Sequence, residues 1–183
     1  MMSVVLRTPR LVLDLPVESD KEIIVASCQD PLFERYLTVP WPYEPSHADF
    51  FINDLVANGW ASGVELTWAL RGQPGGPLLG VIGWRREASD VGYWIGAAHR
   101  GKGYMTEALI AVADYVFETQ GVDAIAWECV IGNTASLAVA RAAGFRYTGE
   151  APTHVAFRDG SHPEAWHGAL TADDRDRKPG WPA

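Results

Sequence analysis

Two glycines one residue apart, Gly101 and Gly103, sit between a strand-like run and the best amphipathic helix of the chain. The run is Asp90-Val91-Gly92-Tyr93-Trp94-Ile95. From Tyr104 to Gln120, Leu109, Val112, Ala113, Val116 and Phe117 form one stripe that ends at Gly121. The chain must therefore turn sharply from strand to helix here, and glycines let it do so with bare N–H groups. The helix start adds its own unpaired N–H groups and the positive end of its dipole. With Arg100 and Lys102 beside it, such a turn suits a phosphate or pyrophosphate. A Walker A loop is excluded because Lys102 is followed by Gly103. A dinucleotide fingerprint is excluded because Thr106 stands where its third glycine belongs. Spacing alone thus says anion at a helix start, or a plain structural turn, and leaves the ligand unnamed.

The chain has 183 residues and a formal charge of −8, which argues against a nucleic-acid partner, since phosphate contacts supply most of that affinity. One domain is expected over 1–172, followed by a mobile tail at 173–183. Two distant cysteines, Cys28 and Cys129, and no visible leader suggest reduced thiols in the cytoplasm. No apolar run is long enough for a bilayer, so no membrane partner is expected.

In chain order, Leu11, Leu13 and Leu15 alternate within a first strand, Leu6 to Leu15. Helices follow at Ser19 to Cys28, capped by Ser19 or Asp20, at Pro31 to Tyr36, and at Ser46 to Trp60, capped by Ser46 with Asp49. Between the last two, Val39 to Pro45 holds three prolines and cannot be regular. Trp41 and Tyr43 in that stiff loop are either a core plug or the wall of a substrate pocket. Strands Glu65 to Arg71, Leu78 to Arg86 and Asp90 to Ile95 make a meander. After the amphipathic helix come a strand, Ala124 to Val130, read as buried on both faces, and a helix capped by Asn133 and stopped by Gly144. Closing strands are expected at Phe145 to Glu150 and on either side of the turn 158–161.

Three separated pieces together resemble the GNAT superfamily of acyl-CoA-dependent N-acyltransferases, and more narrowly its branch of ribosomal-protein N-terminal acetyltransferases (RimJ/RimL type). They are Asp90 to Ile95, Arg100-Gly101-Lys102-Gly103-Tyr104-Met105-Thr106-Glu107-Ala108, and Asn133-Thr134-Ala135-Ser136 running to Gly144-Phe145. The resemblance covers about residues 5–170 and implies an α/β fold. Its mixed, mostly antiparallel sheet is flanked by helices and splayed between strands 90–95 and 124–130. It implies acetyl-CoA as cosubstrate and no metal. The pantetheine arm would lie along Tyr93, Trp94 and Ile95, and the pyrophosphate on Arg100, Gly101, Lys102, Gly103, Tyr104 and Met105. Asn133, and less centrally Arg141, would contact the arm. One departure is Ala98, where the superfamily often has Gln or Arg.

The chemistry needs a proton acceptor for the amine, an N–H donor for the thioester oxygen, and a proton donor for the departing thiolate. By resemblance Ser136 is the donor, although a serine there also serves a helix start. Glu65 is the expected base, working through water, with its pKa raised by desolvation beside the aromatic loop. Glu107 is expected to support the glycine loop. His162, Glu164 and His167 do not share one face of an extended segment, and metal binding there is not expected. The implied acceptor is a primary amine, a protein N-terminus first and a small amine such as an antibiotic or polyamine second, with Trp41 and Tyr43 lining its pocket. Succinyl-CoA as donor, or an idle acyl-CoA sensor, are the alternatives. A homodimer using the many tryptophans is also consistent with the branch.

Overall fold

The structure is a computed structural model that describes residues 3–173 and Trp181. Its first strand is broken. β1 (Leu6–Arg7) and β2 (Val12–Asp14) form a tight hairpin with Leu6 opposite Leu13, where the alternating leucines predict one continuous strand. Thr8 N–H closes the turn onto the Leu11 carbonyl, and Pro9 between them can donate to no ladder. A 3-10 turn then leads into α1 (Lys21–Ser27). Asp20 does not cap that helix. Its carboxylate takes the Val17 N–H and two hydrogen bonds from Arg71.

α2 (Pro31–Tyr36) lies where expected, with Asp30 accepting from the Leu32 N–H at 2.9 Å. The proline loop that follows has no regular structure. The expected helix 46–60 is three pieces: α3 (Pro45–Phe50), a π-helical stretch (Phe51–Val56) and α4 (Ala57–Ser62). Its start is not held by Ser46 and Asp49. The Glu44 N–H donates to His47 Nδ1, and Asp49 pairs instead with Lys21. The wider π turn slips the helical period, so Phe50 and Leu55 face solvent while Ile52, Val56 and Trp60 are buried.

The meander β3 (Glu65–Arg71), β4 (Leu78–Arg85) and β5 (Asp90–Ile95) is antiparallel throughout. Then come α5 (Tyr104–Thr119), β6 (Ala124–Val130), α6 (Thr134–Ala142), β7 (Arg146–Pro152) and β8 (Glu164–Thr171). β6 buries one face fully and the other only in part, contrary to the reading from its apolar composition. The expected third closing strand is absent among the described residues, since 153–163 is the loop that joins β7 to β8.

The sheet runs β1-β2-β3-β4-β5-β6-β8-β7. Every pairing is antiparallel except β5 with β6, which are parallel and share a single register pair, Asp90 with Ala126. One face packs on α5 and α6 through Trp68, Trp84, Trp127, Leu109, Val112 and Phe145. The other packs at one end on α1, α2 and the π stretch, with Ile24, Phe33 and Ile52 against Ala69 and Val81. Buried Arg71 ties the sheet to the turn that opens α1. It bonds Asp14 and Asp20 and the carbonyls of Leu15 and Gly76.

Of the eight tryptophans, Trp60, Trp68, Trp84 and Trp127 are buried, and Trp41, Trp94, Trp166 and Trp181 are half-buried. Trp181 belongs to the expected tail yet packs on Trp127 and Tyr147. The rest of the expected tail beyond Asp173 lies outside the described residues. Among the described residues no helix is long and apolar enough to cross a membrane.

Candidate active site

Beyond the Asp90–Ala126 pair, β5 and β6 separate and leave a cleft. The Gly96 N–H donates to the Leu79 carbonyl at 2.9 Å, so the even-numbered residues of β5 turn their backbone groups to β4. By alternation, Tyr93 and Ile95 present their N–H and C=O groups to the gap. An extended molecule can pair with that edge as an added strand would. The cleft encloses about 520 Å³. Its walls include Tyr93, Trp94 and Ile95 on one side and Asn133, Ser136 and Val139 of α6 on the other. Phe33 and Tyr36 of α2 lie across it, and Arg100, Gly101, Gly103, Tyr104 and Met105 form its far end.

That far end is the glycine turn. Gly101 and Gly103 take φ of +73° and +76°, a region open to glycine at little cost, and Gly103 has no side chain with which to cap α5. The turn is braced from below by a residue that the sequence pattern did not single out. Arg10 donates to the Lys102 carbonyl at 2.8 Å and to Glu107 Oε2 at 2.6 Å, and stacks on Tyr104. Glu107 also accepts from Thr8 and from the Arg10 N–H, which holds its carboxyl below the usual carboxylate range despite some desolvation. Its expected supporting role has this geometry behind it. Arg100 pairs with Asp30 at 2.7 Å, tying the turn to α2. Lys102 is exposed and contributes its backbone to the turn.

Where the cleft narrows, Ser136 and Tyr93 face each other. Ser136 Oγ donates to the Tyr93 hydroxyl at 3.1 Å and accepts from Trp127 Nε1 at 3.2 Å, while Tyr93 donates to the Ser136 carbonyl. Burial pushes the Tyr93 hydroxyl well above its ordinary value. Asn133 Oδ1 accepts the Ser136 N–H at 3.2 Å, the cap expected from sequence. Cys129 lies beside this group, and burial raises its thiol to about 12. The Tyr93 hydroxyl is a second candidate proton donor that the sequence pattern did not separate from its strand.

Through this throat the cleft meets a smaller pocket of about 130 Å³, which shares Tyr93, Asn133 and Ser136 with it. Arg85, Gly92, Glu128, Thr153 and Phe157 also line it. Arg85 and Glu128 line it from one sheet face, whose charged row continues to Glu65 and Asp90 outside the lining. Glu65 pairs across to Arg85, and Arg85 to Asp90, in register. Glu128 lies on the same face, two residues along from Ala126. Arg85 Nε meets Asp90 Oδ1 at 2.8 Å. Glu65 stands behind Arg85, where loss of water raises its pKa, partly offset by the Arg85 charge and by a long contact from Thr67. The strand that carries Glu65 packs against α4.

Glu65 and three other expected site residues line neither the cleft nor the pocket. Tyr43 is a core plug in the layer with Phe33 and Ile52, and half-buried Trp41 packs on the same cluster, so neither lines the cleft or the pocket. Proline-rich stiffness serves that packing. Arg141 is exposed on the last turn of α6, beyond the part of the helix that walls the cleft.

A splayed α/β sheet with a glycine-turned helix start at one end of the gap defines a protein built to hold an extended ligand that carries a phosphate group. Residues 10–146 match the model of the acetyltransferase (GNAT) domain, and the chain belongs to this family of acetyl-CoA-dependent N-acetyltransferases. A probable N-acetyltransferase of Bacillus subtilis (strain 168), YjcK, is 35% identical over 78 residues, 43% of each chain. The match therefore spans less than half the length of that relative.

Among solved structures, a RimL ribosomal L7/L12 α-N-protein acetyltransferase in complex with coenzyme A superposes with a TM-score of 0.79 at 18% identity, over 93% of this chain and 99% of the other. Mycobacterium smegmatis RimJ in complex with a CoA disulfide gives 0.77 at 18% identity, over 96% and 89%. At such identities the likeness concerns the fold. The free strand edge and the glycine turn of the cleft are features that coenzyme A, an extended molecule with a diphosphate, can use.

Proposed function

We propose that this chain acetylates a primary amine, with a protein N-terminal α-amine as the acceptor class. The observation that carries the reading is the throat at Ser136 and Tyr93, where a donor-sized cleft joins a pocket with a carboxylate-bearing floor. Acetyl-CoA would supply the activated acyl group. The chain's own parts supply the rest. The N–H groups of Tyr93 and Ile95 are free to bond an extended ligand and its carbonyl oxygen. Glu65, made more basic by burial, accepts the ammonium proton through water. Ser136, backed by Tyr93, holds a proton at the throat for the departing sulfur. Glu128, the carboxylate that lines the pocket, offers a partner for a cationic amine. Two free, buried thiols support a reducing, cytoplasmic setting.

The test is a panel of peptides with free N-termini set against aminoglycosides, polyamines and lysine side chains. The donor is acetyl-CoA, then succinyl-CoA, and released thiol is the readout. Peptide-dependent thiol release supports the reading. Release with small amines alone moves the acceptor to the second class. Tight CoA binding with no release for any amine makes the chain a sensor.

A further inference from the structure

The loop from β7 to β8 brings His154 against two residues of the sheet. Glu128 and His167 are cross-strand partners, and the two rings, His154 and His167, meet edge to face at 5.2 Å. His154 Nδ1 is 2.7 Å from Glu128 Oε2, and His167 Nδ1 is 3.7 Å from the same oxygen. One ligand atom from each residue lies within 4.8 Å of the others. A tetrahedral zinc with bonds of about 2.0–2.2 Å sets its ligand atoms about 3.4 Å apart, so small side-chain adjustments complete the geometry.

The tautomer of His167 points the same way. Its Nε2 lies 3.1 Å from the Ala151 carbonyl, which can only accept, so Nε2 carries the hydrogen. In the neutral ring this leaves the Nδ1 lone pair facing a carboxylate, an arrangement that a cation relieves. It is also the outer support found behind metal-bound histidines, whose second nitrogen donates to a carbonyl. The His154 backbone N–H reaches both Glu128 oxygens, at 3.2 and 3.1 Å, and fixes the carboxylate. The His154 side chain is 77% exposed, so its ring can turn onto a cation that replaces its proton. Two imidazoles and one carboxylate favour zinc-class transition cations over magnesium or calcium. His162, grouped with His167 by sequence proximity, instead faces the Thr153 carbonyl.

We propose that Glu128, His154 and His167 bind a divalent transition cation of the zinc class, and that this cation closes the acceptor pocket to the amine. Glu128 is itself a wall of that pocket, as are Thr153 and Val155 on either side of His154. The closing effect rests on the acetyl-transfer reading; the binding does not.

The experiment uses tag-free, chelator-stripped protein and zinc chloride alone, with binding followed by competition against a chromophoric chelator. One zinc per chain is expected, with affinity reduced more than about tenfold in His154→Ala and in His167→Ala. No binding, or binding unchanged in both variants, overturns the site. Transfer is then assayed at saturating zinc. A loss of more than about tenfold in the wild type, reversed by chelator and absent in His154→Ala at the same zinc concentration, supports the closure; an unchanged rate overturns it. Protein that transfers nothing even without zinc refutes the function reading, while the binding result still decides the site.

Discussion

Replacing Gly101 with alanine isolates the energetic role of the turn. The residue sits at φ +73°, and a Cβ added there meets nothing within 4 Å. The perturbation is therefore conformational alone, about 1–2 kcal/mol for a side chain in the left-handed region. That energy has two places to appear. If the free turn keeps its shape, unfolding stability falls by the full amount and coenzyme A affinity is unchanged. If the free turn relaxes, stability is preserved and affinity drops about 5- to 30-fold. Calorimetric titration with coenzyme A, together with denaturant unfolding without ligand, measures both. Their sum should be about 1–2 kcal/mol whichever way it divides. Gly103→Ala adds a contact with the Arg10 guanidinium at 3.3 Å, so its sum should be larger. A Gly101→Ala protein with both quantities unchanged would refute the claim that this turn shape is required for binding.

Glu65→Gln should lose turnover most at lower pH, where solvent base is scarce, and a pH–rate profile parallel to the wild type removes Glu65 as base. The same variant has a stability signature. Because the folded pKa is raised, the wild-type carboxyl favours folding below its unfolded value, near 4.5, and that contribution is lost as pH rises through the folded value. Glu65→Gln should thus gain stability over the wild type at neutral pH and not at pH 4, as urea unfolding at both will show. Ser136→Ala should lower turnover and, by removing one of the two acceptors near Trp127 Nε1, cost about 0.5–1.5 kcal/mol. Tyr93→Phe assayed beside it tells which hydroxyl delivers the proton, and unchanged pH–rate profiles in both variants would remove the pair from the chemistry. Arg71→Leu leaves Asp14 and Asp20 uncompensated, which should cost about 3–5 kcal/mol and lower Tm by about 6–20 °C in a thermal melt.

The elements that the sequence specified best are those whose signal is local. The meander from Glu65 to Ile95, the cap of Asn133 on Ser136 and the glycine turn each carry their own pattern within a few residues. The misreadings have a shared cause, since they concern positions where distant partners decide. Asp20 looks like a cap but answers to Arg71, 51 residues away. Phe50 and Leu55 fit a helical stripe until the π turn shifts it. Tyr43 and Trp41 advertise a pocket but fill a core layer that only the folded chain defines. Arg10 and Glu128 carry no local signal as site residues because their meaning comes from distant partners, Glu107 on α5 and His167 on the neighbouring strand.

The lone Asp90–Ala126 bridge has a mechanical consequence. Between any other two neighbouring strands of this sheet, a guest could pair only after they were unzipped, at the expense of several backbone bonds. Here the seam is already open, so an extended ligand can line the β5 edge without dismantling anything. The fold's least cohesive line is thereby its most accessible one, and reinforcing it with further β5–β6 bonds would harden the molecule while shutting it.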